Sequence, residues 1–152
     1  MWIDGYSDVT ILTRQECMHL LGTTTLGRVG ASIDALPVIL PIHFALIDES
    51  VLFRTLPGTK LDAATRDTVI AFQADAYEPV DGTGWSVLVQ GITSAVRDHH
   101  GDVPAINVPI KPWAGVEPHH RLVRLDTTNV TGRHFRIVGE KTSVEFPDAP
   151  RL

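Results

Sequence analysis

Hydrophobic and polar positions along the chain change their period. Near the start the period is helical: after a polar opening, Cys17, Leu20 and Leu21 recur at spacings of three and four, which puts them on one face of a helix. Thr13 stands before that run and Glu16 follows three residues later. At this spacing each side chain can bond the other's free backbone N–H, so a short amphipathic helix is predicted to start there. Leu12 is placed to staple onto its first turns, and Gly22 offers the stop.

From Leu26 onward the pattern is that of β-branched and apolar runs cut by turn formers. Strands are predicted over 26–33, 36–46, 51–55, 69–74 and 85–97, with a final strand around 122–125 and then the segment 130–137. Turns fall at Asp34-Ala35 and Asp48-Glu49-Ser50, and a loop runs from Glu78 to Gly84. Pro37 and Pro41 cannot donate ladder hydrogen bonds, so the second strand requires an edge, a bulge or a strand start at those points. Lys60 to Arg66 reads as a short helix. Gly91, in the middle of the longest strand, suggests the bulge or sharp bend by which a strand turns a barrel corner. Residues 99–120 are poorly patterned. Six strands, one capping helix and one small crossover helix are too few helices to cover both faces of a parallel sheet. The expectation is a single domain over residues 1–152, mainly β with minor α: a six-stranded antiparallel split β-barrel, its core about 12–137 and its C-terminal tail irregular.

Composition removes several classes. With 152 residues the chain suits one core. A net charge of -5 argues against nucleic acid, which needs a concentrated basic surface to displace counterions. No apolar run approaches the roughly 20 residues of a membrane span, and no basic segment followed by a hydrophobic stretch opens the chain. A cytoplasmic protein without a membrane partner is expected. Cys17 is the only cysteine, so no intramolecular disulfide or CxxC pair forms, and core filling is its expected role. The pairs His99-His100 and His119-His120 are adjacent, and sequence neighbours rarely project toward one ion, so no metal site is expected. There is no GxSxG elbow, no Walker lysine loop and no GxGxxG after a strand. Asp62, Asp67 and Asp75 are scattered, with no spacing that suggests a working acid–base pair.

The informative stretch is Arg54-Thr55-Leu56-Pro57-Gly58-Thr59-Lys60, where two cations, two hydroxyls and a flexible glycine converge between a strand end and a short helix. Free amides and fixed positive charge in that arrangement suit a phosphate, though a turn carrying solvated cations has the same composition. Trp85 and Ser86 open the long strand, where the ring either walls a planar ligand or fills the core. Trp113 either caps a site on a neighbouring subunit or covers its own barrel end. His43, in Pro41-Ile42-His43-Phe44, is the candidate catalytic proton donor, with packing as the alternative. Arg133 and Arg136 either reach a second anion or are surface cations.

Together, Leu26-Gly27-Arg28-Val29-Gly30, the strand Pro37 to Phe44 and Phe53-Arg54-Thr55-Leu56-Pro57-Gly58-Thr59-Lys60-Leu61 resemble the pyridoxamine 5'-phosphate oxidase-like, FMN-binding split-barrel family. Trp85-Ser86-Val87-Leu88-Val89-Gln90-Gly91 and Thr131-Gly132-Arg133 extend the likeness over about residues 12–137. The resemblance implies a homodimer with flavin sites at the subunit interface. The FMN phosphate would lie near Arg54, Thr55 and Lys60, the ring along Pro41 to Phe44, and Trp85, Ser86 and Trp113 near the ring. Gly132 to Ile137 does not reproduce the substrate-binding arginine and histidine pattern of the oxidase itself, so vitamin B6 oxidation is not expected. An FMN-dependent oxidoreductase acting on a small molecule is the leading expectation. An F420-dependent reductase of the same fold, or a non-enzymatic flavin- or haem-binding protein, is the alternative.

Overall fold

Thr13 caps the first helix as its spacing predicts. In the computed structural model, which describes residues 6–97 and 120–137, α1 (Arg14–Leu21) begins with a reciprocal capping box. Thr13 N–H donates to Glu16 Oε2 at 2.7 Å and Glu16 N–H to Thr13 Oγ1 at 3.3 Å. Gly22 ends the helix, and Cys17, Met18 and Leu21 are its buried face. Burial pushes the Cys17 thiol above its ordinary pKa, as suits a core filler.

The described residues also form eight strands: β1 (Tyr6–Ile11), β2 (Leu26–Ile33), β3 (Leu36–Ile47), β4 (Ser50–Thr55), β5 (Val69–Glu78), β6 (Thr83–Ala95), β7 (Arg121–Leu125) and β8 (Asn129–Ile137). A second helix, α2 (Lys60–Ala64), bridges β4 and β5. Pairing runs β6–β5–β2–β3–β4–β7, and β7 returns to β6, so six antiparallel strands close a barrel. β8 pairs with β6 outside that ring, and β1 with β8. Among the described residues no helix is long and apolar enough to cross a membrane.

Two strand assignments differ from the sequence reading. The polar opening contains β1, which among the described residues pairs only with β8 and leaves Val9 and Ile11 exposed, so no core-facing alternation announces it. β5 continues past Ala74 to Glu78, where every residue is exposed and the pairing with Thr83 to Ser86 alone extends it.

The prolines of β3 adopt the edge solution. β3 pairs with β2 over Leu36 to His43 and with β4 from Phe44 to Ile47. Phe44 N–H donates to the Thr25 carbonyl at 2.9 Å. By the alternation of a strand, the missing N–H groups of Pro37 and Pro41 then fall on the side away from β2, where no strand pairs among the described residues. Gly91 marks the corner of β6, which leaves β8 at Gln90 and takes up β7 at Thr93. A Cβ there would run into the Asp126 carbonyl.

The barrel interior holds Val29, Phe44, Phe53, Phe72, Val87, Val89, Val123 and Leu125, with the helix face of Cys17, Met18 and Leu21 in the same cluster. Phe44 and Phe72 meet edge to face, ring centroids 4.7 Å apart. Each such side chain contributes about 1.5–3 kcal/mol by leaving water.

Candidate functional site: the loop between β4 and α2

The split of the barrel is created where β3 and β4 part. Their ladder begins at Phe44 opposite Phe53. On the far side of that pair β3 stays with β2, while Arg54 and Thr55 follow β7, opposite Leu122 and Arg121. The unpaired edge of Pro37 to His43 and the Arg54 to Lys60 segment therefore diverge from one point, and the Arg54–Lys60 loop stands at the mouth of the split.

The loop is held from inside by a carboxylate. Asp62 is 2% exposed, although it sits on a five-residue surface helix. Its Oδ1 accepts from Arg121 Nε at 2.7 Å and from Thr55 Oγ1 at 3.2 Å; its Oδ2 accepts from Arg66 Nη2 at 2.6 Å and from Gly58 N–H at 3.2 Å. Burial alone would raise the Asp62 pKa. The bonds from Arg66, Gly58 and Thr55 and the charge of Arg121 outweigh it and hold the carboxyl below the usual range. Thr59 caps α2, accepting from Asp62 N–H at 3.2 Å and donating its hydroxyl to the Leu56 carbonyl at 2.7 Å. Gly58 has φ +82°, the left-handed region that favours glycine at this turn. The donors of Thr55, Gly58 and Thr59 are thus engaged within the loop.

Arg54 and Lys60 are not. Arg54 is half-buried on β4 and Lys60 exposed at the start of α2, and neither side chain has an ion pair or hydrogen bond among the described residues. Neighbouring cations contrast with them: Arg66 and Arg121 are on Asp62, and Arg124 bonds Ser50 and pairs with Asp126 at 3.3 Å. A partly buried guanidinium with no protein partner is an open position for an anion.

The other expected site residues divide into groups. Pro41 is exposed and His43 half-buried on the edge of β3, next to this loop. Ile42, Phe44 and Phe53 point into the core, so only their main-chain groups are available to a ligand. Trp85 packs against the core cluster at the other end of β6, opposite His134 of β8. Ser86 stands opposite Arg133. Three strand steps, β3 to β2 to β5 to β6, separate Pro41 from the Ser86 region, about 14 Å at the usual strand spacing. Polar side chains bridge that interval on the outer face. Arg28 donates to Gln73 Oε1 at 3.2 Å and pairs with Asp75 at 3.4 Å, and Gln73 Nε2 reaches Asp75 at 2.7 Å and Ser86 Oγ at 3.4 Å. Beside this stripe lies a groove of mixed polarity, about 420 Å³, lined in part by Ser32, Pro37, Ile39, Thr68, Val69 and Gln90. Arg136 lies near Asp81, whose pKa is lowered first by Thr83 and also by that charge. Trp113, His99, His100 and His119 lie outside the described residues. No cluster of three metal-ligating side chains occurs among the described residues.

Asp62 and Arg121 are the residues that sequence reasoning missed. Thr59 followed three positions later by Asp62, with Arg66 four further on, is a readable helix-start signal. Nothing local points to Arg121, 59 positions away.

A sequence profile of the pyridoxamine 5'-phosphate oxidase family matches residues 13–134. An uncharacterised protein of Mycobacterium tuberculosis is 33% identical over 138 residues, covering 88% of this chain and 88% of that protein. Among solved structures, the FAD binding protein from Mycobacterium smegmatis is 38% identical with a TM-score of 0.71, covering 84% of this chain and 100% of that one. A Corynebacterium glutamicum protein described as a candidate pyridoxamine 5'-phosphate oxidase is 30% identical with a TM-score of 0.73, covering 86% and 100%.

Proposed function

The chain belongs to the pyridoxamine 5'-phosphate oxidase family, and from that premise we propose that it is a flavin-dependent oxidoreductase whose Arg54–Lys60 loop holds the cofactor's 5'-phosphate. The observation that carries the reading is the pair Arg54 and Lys60, two cations at the mouth of the split without a side-chain partner among the described residues, while their neighbours are neutralised. The residues fit the group: Arg54 supplies a forked donor, Lys60 a second charge, and the edge of β3 from Pro37 to His43 offers main-chain groups to a ring. FMN contains all that this loop addresses. FAD, bound by the Mycobacterium smegmatis relative, contains the same phosphate and is the second ligand to test.

The flavin supplies electron or hydride transfer when bound, and the protein's part is position, charge and exclusion of water. Arg54 and Lys60 offset the phosphate charge. His43, half-buried on the β3 edge, is the proton donor of this reading.

A homodimer completes the proposed site. Ser86 and Arg133 lie across the outer face from the loop of their own chain, with Trp85 behind them against the core, and in the proposed dimer a second copy brings this region to the loop from the other side. Exposed Leu36, Ile39, Val69 and Ile92 give that outer face an apolar surface to bury.

The deciding experiment is the visible spectrum of the purified protein, alone and after addition of FMN, FAD or F420, followed by NAD(P)H or reduced F420. A bound flavin that is then reduced supports the enzyme. A bound flavin that no donor reduces favours a carrier, and a colourless protein that takes up none of the three ends the reading.

A further inference from the structure

The Asp62 carboxylate accepts four hydrogen bonds around the proposed phosphate loop, yet it faces inward. It joins four parts of the chain: Thr55 at the end of β4, Gly58 in the loop, Arg66 beyond α2 and Arg121 at the start of β7. Arg121 in turn caps the end of α2, its Nη2 donating to the Asp62 carbonyl at 3.1 Å and to the Thr65 carbonyl and hydroxyl at 3.0 Å each. Both ends of the short helix are therefore fixed to the barrel wall through one ion pair. The segment between Arg54 and Lys60, which has few apolar contacts of its own, takes its shape from the same carboxylate.

We propose that Asp62 is the positioning residue of the Arg54–Lys60 loop, setting the separation of its two cations through its bonds to Thr55, Gly58 and Arg121. The inference rests on the reading of that loop as a phosphate site. It makes a prediction opposite in sign to simple electrostatics. Asp62→Asn removes a negative charge next to the loop and releases Arg66 and Arg121, so a site governed by charge alone binds a phosphate more tightly. A site governed by loop geometry binds it more weakly.

The test titrates wild type and Asp62→Asn with FMN and with riboflavin, which has the same ring and no phosphate. Asp62→Asn is expected to raise the FMN Kd about tenfold and leave riboflavin binding within twofold. An FMN affinity that is unchanged or tighter overturns the proposal, and so does an equal loss for both ligands, which reports a general loosening of the fold. Arg121→Lys is the second variant, for the case in which Asp62→Asn does not fold; it keeps the charge and loses the fork onto Thr65. It is expected to raise the FMN Kd a few-fold with riboflavin unchanged, under the same criteria. Amide hydrogen exchange of the ligand-free proteins separates this claim from the phosphate reading itself. Amides of Leu56, Gly58 and Thr59 are expected to exchange about tenfold faster in Asp62→Asn; equal rates overturn the positioning role even where FMN binds. If wild type binds no FMN while those amides do accelerate, the phosphate reading fails and the loop clamp stands.

Discussion

Asp62 and Arg121 are 59 positions apart in sequence and 2.7 Å apart in space, with the carboxylate 2% and the guanidinium 12% exposed. The pair ties the first residue of β7 to the helix that follows β4, at the end of the β4–β7 ladder. Removing one member leaves the other buried without its counter-charge, a loss typically near 3–5 kcal/mol. Asp62→Ala is therefore expected to lower the stability by about 3 kcal/mol, measured by urea denaturation. A loss below about 1 kcal/mol would show that Arg121 finds water in place of its partner.

The same carboxylate gives the stability a dependence on acid. Its pKa is lower in the folded protein than its ordinary value. The unfolded chain therefore binds the proton first, and the contribution is complete above the unfolded value, near 4, and lost as pH falls through the folded one. The Tm difference between wild type and Asp62→Asn should accordingly be largest near neutrality and shrink below about pH 4. A difference that stays constant to pH 3 would place the stabilisation in the neutral hydrogen bonds.

Replacing Arg54 and Lys60 together by Ala should weaken FMN binding by at least about a hundredfold, since each charge-assisted bond contributes roughly 1.5–3 kcal/mol. The fold should be unaffected, because neither side chain has a partner among the described residues. Titration by flavin fluorescence, with thermal melting as the control, reads both. FMN affinity equal to wild type would move the phosphate elsewhere.

Val69 and Ile39 are 71% and 75% exposed on the outer barrel face. If that face is the dimer contact, Ile39→Glu with Val69→Glu should give a folded monomer by sedimentation, together with weakened flavin binding. A dimer that survives both charges would require a different interface.

The β2–β3 hairpin turns through Asp34 and Ala35, with φ +49° and +65°. The left-handed region costs a non-glycine residue about 1–2 kcal/mol, and glycine's looser unfolded state offsets part of the relief. Ala35→Gly is thus expected to stabilise by about 0.5–1 kcal/mol, a Tm rise of a few degrees for a chain of this size. An unchanged or lower Tm would mean that the loop tolerates alanine without strain.

Features that depend on neighbours in sequence are legible in the sequence alone. The Thr13–Glu16 capping box, the edge forced by Pro37 and Pro41, the corner at Gly91 and the loop of Arg54 to Lys60 are all written within a few residues of themselves. Each rests on backbone constraints or short-range periodicity, which no distant contact has to supply. The strand β1 was hidden for the converse reason: its apolar residues face outward, and only pairing with β8 makes it a strand.

Tertiary structure decided what the loop can present. The sequence lists Arg54, Thr55, Gly58, Thr59 and Lys60 as equals, whereas folding engages the donors of Thr55, Gly58 and Thr59 and leaves the two cations without a side-chain partner among the described residues. That division depends on Asp62 and Arg121, and a pair separated by 59 positions has no local signature. It likewise placed Trp85 against the core and set Ser86 beside Arg133 several strands from the loop, because strand order follows the closure of the barrel and not the order of the chain.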